Sequence, residues 1–125
     1  MRLPEIDVVV AIWGRALAAV ERGDLSMDDR RLSILWYVAG IAYERDNAPL
    51  LSDRSYDLLS VHLCGRINQA RAAGADLLSE EDLRAGTAMN WRSFPAYAHR
   101  IADTLKGRLT LAKIRALDES DDDLM

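Results

Sequence analysis

Residues Ala42 to Leu59 read AYERDNAPLLSDRSYDLL, and the breaks inside this stretch decide the fold. Asn47, Ala48 and Pro49 end the helix that precedes them, because the residue before a proline is pushed away from helical dihedrals. Ser52 or Asp53 then caps a new helix that runs to about Ala73, before Gly74. Tyr56, Leu59, Leu63, Ile67 and Ala70 recur at spacings of three and four and define its buried face. Upstream, Ser26 and Asp29 form a capping box for a helix to about Asp46, with a stripe of Leu32, Leu35, Trp36, Ala39 and Tyr43. A helical hairpin over about 30–73 results.

The same periodicity extends outward, and no alternating strand pattern of useful length appears. The first helix spans about Pro4 to Arg22, with Gly23 as its stop and Val9, Ile12 or Trp13, Ala16, Leu17 and Val20 as its stripe. Ser79 and Asp82 open a short fourth helix that ends near Gly86. Gly86 to Phe94 is an irregular loop carrying Trp91 and Phe94 into the core. A last helix runs from about Pro95 to Leu117, with Gly107 as a weak point costing up to about 1 kcal/mol relative to alanine. The expectation is an all-α, single compact domain of four to six helices over 1–117, followed by a disordered acidic tail over 118–125.

Composition narrows the functional classes. At 125 residues, half of them hydrophobic, the chain is long enough for one core without staples. Cys64 is the only cysteine, which excludes an intrachain disulfide and a cysteine-rich zinc site. The N-terminal MRLPEIDVVVAIWGR does not read as a signal peptide, and no apolar run approaches the roughly 18 residues of a membrane span. A soluble protein of the cytoplasm is expected. The net charge of -4 divides unevenly: five of the 20 acids fall after Leu117, leaving 15 acids against 16 Lys and Arg in the body.

The central stretch also offers chemistry. Asp53, Tyr56 and Asp57 are related by helical spacing and share the first turns of one helix. The Pro49 loop folds Tyr43, at the end of the preceding helix, back toward them. Aromatic faces flanking a flat cationic ring, with carboxylates for its charge and for ribose hydroxyls, suit a pyridinium nucleotide.

These residues resemble the N-terminal domain of NAD-dependent DNA ligases. That family shows the pattern Y-H-x-x-D-x-P-x-[IL]-[SP]-D-x-x-Y-D-x-L, and Tyr43, Pro49, Leu51, Ser52, Asp53, Tyr56, Asp57 and Leu59 stand in register with it. The resemblance implies that Tyr43, Asp53, Tyr56 and Asp57 contact nicotinamide mononucleotide. Glu44 stands where the family has its histidine, and Asn47 where it commonly has an acid. The chain is similar, too, to short phage-encoded proteins with the same motif followed by a leucine-acid-leucine segment and an A-G-T stretch, as in Leu83 to Thr87. That second likeness implies a phage or prophage setting.

A purely structural account of the motif stands beside this one. Tyr43 and Tyr56 each fall on the apolar stripe of a helix and so read as core residues, with Ser52 and Asp53 as caps and Asp57 favouring the positive helix end. No catalytic constellation accompanies the motif. Ligase chemistry needs a lysine in K-x-D-G, and neither Lys106-Gly107-Arg108-Leu109 nor Lys113-Ile114-Arg115-Ala116 supplies it; phosphate loops and dinucleotide fingerprints are also missing. His99 has the spacing to pair with Asp103, His62 reads as a boundary residue of the core, and Cys64 reads as a small buried hydrophobe. No metal or required cofactor is expected.

Arg100, Lys106, Arg108, Lys113 and Arg115 give the last helix a basic face, since Lys106 with Lys113, and Arg108 with Arg115, are seven apart. Such a face reads first as a solvated helix exterior; as a contact it suits phosphates or an acidic protein surface, with nucleic acid the lesser option given the near-neutral body. The expected function is therefore that of a non-catalytic phage-type helical protein that binds or inhibits a host or phage protein, in defence or in replication and repair. The alternative is a nucleotide-binding module holding nicotinamide mononucleotide or NAD between Tyr43 and Tyr56.

Overall fold

The computed structural model describes residues 5–121. Seven α-helices follow one another: α1 (Glu5–Glu21), α2 (Asp29–Glu44), α3 (Asp53–Gly65), α4 (Ile67–Ala72), α5 (Glu80–Ala85), α6 (Ala96–Leu105) and α7 (Leu111–Asp121), with a 3-10 turn at Trp91–Ser93. No strand occurs among the described residues, so the all-α expectation holds. Helix α2 lies at the centre, packed by α3, α4, α6 and the 3-10 turn, while α7 covers α1.

That central position explains why α2 is buried on nearly every side. Leu32, Leu35, Trp36, Tyr37, Val38 and Ile41 are all fully buried, a pattern broader than one amphipathic stripe. Trp36 is the hub of an aromatic cluster. Its ring stacks on Tyr56 at 5.7 Å and lies 5.5 Å from Phe94, which is 4.8 Å from Tyr37. The indole Nε1 donates to Ser60 Oγ at 2.9 Å, and Ser60 Oγ donates to the Tyr56 carbonyl at 2.9 Å. The buried nitrogen is thus satisfied within α3.

Two of the expected helices are broken, which raises the number from four to six up to seven. The third stops at Gly65, where Arg66 leaves helical dihedrals (φ -123°, ψ 26°), and restarts at Ile67 as α4. The Arg66 guanidinium reaches Asp29, in the first turn of α2, through hydrogen bonds of 2.7 and 2.8 Å. The last helix stops at Leu105, because Gly107 takes a left-handed conformation (φ +76°), and α7 restarts with the Thr110 hydroxyl accepting from the Lys113 amide at 3.2 Å. Helix α7 continues to Asp121, past the expected end at Leu117; the tail expected beyond it lies from residue 122 outside the described residues.

Caps fix the other boundaries. Asp28, rather than the expected Ser26, caps α2 by accepting from the Arg31 amide at 2.7 Å, while Ser26 donates to Asp24. At the other end Asn47 takes φ +50° and the Ala48 amide closes on the Ala42 carbonyl at 2.9 Å, a closure that asparagine tolerates. Ser52 caps α3 and Ser79 caps α5, whose stop is Gly86 at φ +66°.

Glu21 ties three helices at the start of α3. Its carboxylate accepts from the Ser52 amide at 2.9 Å and from Arg115 of α7 at 3.3 Å, while its carbonyl accepts from Ser55 Oγ at 3.2 Å. Burial pushes its carboxyl up, yet the hydrogen bonds from Ser52, Ser55 and Arg115 outweigh it and hold the group below the usual carboxylate range.

Candidate functional site

The turn at Asn47 and the Ser52 cap set the end of α2 against the start of α3, and a cavity of about 270 Å³ opens between them. Its walls come from four places. Helix α2 supplies Ala39, Gly40, Tyr43 and Glu44; the connecting loop supplies Pro49, Leu50 and Leu51; α3 supplies Asp53, Tyr56 and Asp57; the segment after α5 supplies Gly86, Thr87 and Ala88. All five residues expected to contact a nucleotide, Tyr43, Glu44, Asp53, Tyr56 and Asp57, therefore line one cavity.

The two tyrosines play different parts. Tyr43 is half exposed, so its expected place in the core is corrected: it lines the cavity between α2 and α3, where no neighbour fills the space it faces. Tyr56 is held between core and cavity. One face stacks on Trp36, and its hydroxyl lies 3.4 Å from the Trp36 carbonyl, a weak hydrogen bond at best. Burial, followed by Glu44 and Asp82, pushes the Tyr56 phenol well above its ordinary value. Glu44 thus projects its charge toward this wall.

Two glycines shape the space. A Cβ on Gly40 would meet Ala88 Cβ at 2.5 Å and the Tyr56 hydroxyl at 2.9 Å, so glycine lets the 86–88 segment lie against α2. A Cβ on Gly86 would meet Asp57 Oδ1 at 2.8 Å, which brings that carboxylate over the backbone of the same segment. Thr87 Oγ1 is buried there with no hydrogen-bond partner among the described residues. The sequence reading did not place Gly40 or the 86–88 segment in the site. A glycine inside an apolar helix is the signal for a close approach, and here the approaching chain comes from beyond α5.

Other candidates are separated or engaged. Because α6 ends at Leu105 and α7 begins at Leu111, the residues Lys106 and Lys113, and Arg108 and Arg115, do not share a helix face. The expected basic face is therefore dispersed: Lys106 Nζ lies 3.6 Å from Asp46, Arg115 bonds Glu21, and Lys113 donates to the Arg108 carbonyl at 3.3 Å. Arg100 on α6 is exposed. His99 does not pair with Asp103. Its Nε2 lies 3.0 Å from the Trp91 carbonyl and its Nδ1 3.5 Å from Arg45, which itself bonds Asp103 at 2.6 Å. Cys64 is partly rather than fully buried and lies beside Arg84. No cluster of metal-ligating side chains occurs, and no helix is long and apolar enough to cross a membrane, among the described residues.

The cavity offers one exposed aromatic face, an apolar floor, three carboxylates and a buried hydroxyl. No family model, curated protein or solved structure matches this chain.

Proposed function

We propose that this chain is a non-catalytic binding module of the cytoplasm whose cavity holds the nicotinamide and ribose of a pyridinium nucleotide, nicotinamide mononucleotide or NAD. The observation that carries the reading is the convergence of Tyr43, Glu44, Asp53, Tyr56 and Asp57 on one cavity. Tyr43 supplies a face for a cationic ring. The carboxylates supply its counter-charge and accept from ribose hydroxyls. The sequence likeness to the ligase N-terminal domain supports the same assignment. On this reading these groups hold the nucleotide without turning it over. Thermal unfolding with nicotinamide mononucleotide and with NAD tests the reading: a ligand-dependent rise in Tm is expected, and an unchanged Tm at millimolar concentrations of both refutes it.

A second reading, binding to a host or phage protein on the same scaffold, draws on the outer face of α3. Leu58 and Val61 lie one turn apart there, 46% and 69% exposed. Their apolar surface has the character of a contact patch. Substituting Val61→Lys is expected to abolish co-purification of such a partner, and retention of the partner by that variant removes this reading.

A further inference from the structure

We propose that the cavity selects a pyridinium nucleoside without its phosphate, so that the free riboside binds more tightly than the mononucleotide or the dinucleotide. The inference rests on the reading of the cavity as a pyridinium site and adds the form of ligand that it takes.

The charges of the lining carry the argument. Glu44, Asp53 and Asp57 are carboxylates from three positions around the opening, and no Lys or Arg lines the cavity. A phosphate is ordinarily met by guanidinium or ammonium groups or by the amides of a helix N-terminus. The nearby cations are not arranged for it. Arg45 follows Glu44 but is held by Asp46 and Asp103. Arg84, two residues before Gly86 in the last turn of α5, is outside the lining and pairs with Glu80. Arg54 follows Asp53, but a step of one residue turns it about 100° around α3, and it is not part of the lining. At the N-terminus of α3 the Ser55 amide is taken by the Ser52 hydroxyl and the Ser52 amide by Glu21, and Asp53 adds a negative charge to the first turn.

Volume points the same way. About 270 Å³ lies just under the roughly 300–1,000 Å³ of common small-molecule sites. That space suits a base with its sugar, and leaves the second nucleotide of NAD in solvent. A ribose 5′-phosphate would therefore sit at the mouth, near three like charges and without a counter-ion. The resulting repulsion is expected to weaken the mononucleotide roughly tenfold relative to the riboside at low salt, and the penalty should fade as the Debye length shortens.

Calorimetric titration of the full chain with nicotinamide riboside, nicotinamide mononucleotide, NAD and neutral nicotinamide tests this. The riboside is expected to bind best, with the mononucleotide about tenfold weaker at low ionic strength and near parity at about 0.5 M salt. The Glu44→Gln variant removes a counter-charge of the cationic ring as well as a charge facing the phosphate, so it is expected to weaken the riboside more than the mononucleotide and to narrow the low-salt ratio. A mononucleotide that binds as tightly as the riboside at low salt, or a ratio indifferent to salt and to Glu44→Gln, overturns the inference and leaves the pyridinium site standing. Absence of binding by all four ligands overturns both.

Discussion

Tyr56 stacks on Trp36, with ring centroids 5.7 Å apart and planes inclined by only 16°, so one ring serves both the hydrophobic core and the wall of the cavity. Tyr43, across the same cavity, is half exposed and has no such duty. The two substitutions should therefore separate folding from binding. Tyr56→Ala is expected to cost about 3–5 kcal/mol, as for a buried aromatic truncation. Tyr43→Ala should change stability by no more than about 0.5 kcal/mol while abolishing the rise in Tm caused by a pyridinium ligand. Urea unfolding of both variants, with and without ligand, checks the pair; a Tyr43→Ala protein that binds normally removes the aromatic face from the site.

Ser60 makes a sharper probe of the core than its size implies. Its hydroxyl is the partner of the Trp36 indole nitrogen at 2.9 Å, and Trp36 is fully buried. Ser60→Ala deletes one oxygen but leaves a buried donor without an acceptor, which costs about 1–3 kcal/mol. The unfolding midpoint should fall accordingly with an unchanged m-value. A neutral substitution would show that the indole finds another acceptor.

The legible and illegible parts of this architecture divide along physical lines. Caps and stops are local, so Ser52, Ser79, Gly86 and the Asn47 turn could be read from a few residues each. The breaks at Gly65 and Gly107 were harder, since periodic apolar residues continue through both. At the break after α3, Arg66 leaves helical dihedrals and bonds Asp29, a contact 37 residues away in sequence that no local pattern encodes. The site shows the same division. Tyr43, Glu44, Asp53, Tyr56 and Asp57 lie within one hairpin, whereas the 86–88 wall arrives through the packing of α5 on α3. Tyr43 continues the buried stripe of α2 yet faces the cavity, because a helical stripe gives direction but not whether a neighbour fills the space it points into.

Acid should reveal the network at the end of α2. Asp46 is only 5% exposed and lies 2.8 Å from Arg45 and 3.6 Å from Lys106 of the α6–α7 connection. The Arg45 guanidinium holds its carboxyl below the usual range; burial opposes this, and Lys106 adds to it. A carboxyl depressed in the folded state contributes stability that is fully present above its unfolded value of about 3.9 and is lost as pH falls through the folded value. Wild type should therefore lose Tm more steeply than Asp46→Asn below about pH 4, and the gap between them should close. Parallel curves across that range would show that Asp46 contributes nothing through its charge.

Gly40 offers a test that joins the core to the cavity. A methyl group there would stand 2.5 Å from Ala88 Cβ and 2.9 Å from the Tyr56 hydroxyl, closer than real carbon contacts allow. In an ordinary helix interior, glycine to alanine gains up to about 1 kcal/mol. Here the clash reverses the sign, because one neighbour is a short side chain on a backbone segment and cannot swing aside. Overpacking of this kind costs about 1–3 kcal/mol, and moving the 86–88 segment away from α2 would also displace Thr87 and loosen the wall facing Asp57. Gly40→Ala is thus expected to lower both Tm and ligand affinity. Ala88→Gly removes the Cβ that Gly40→Ala strikes, so the double variant should recover most of the lost stability, with a coupling energy of about 1 kcal/mol or more. Additive effects in that cycle would mean that the 86–88 segment does not rest on Gly40.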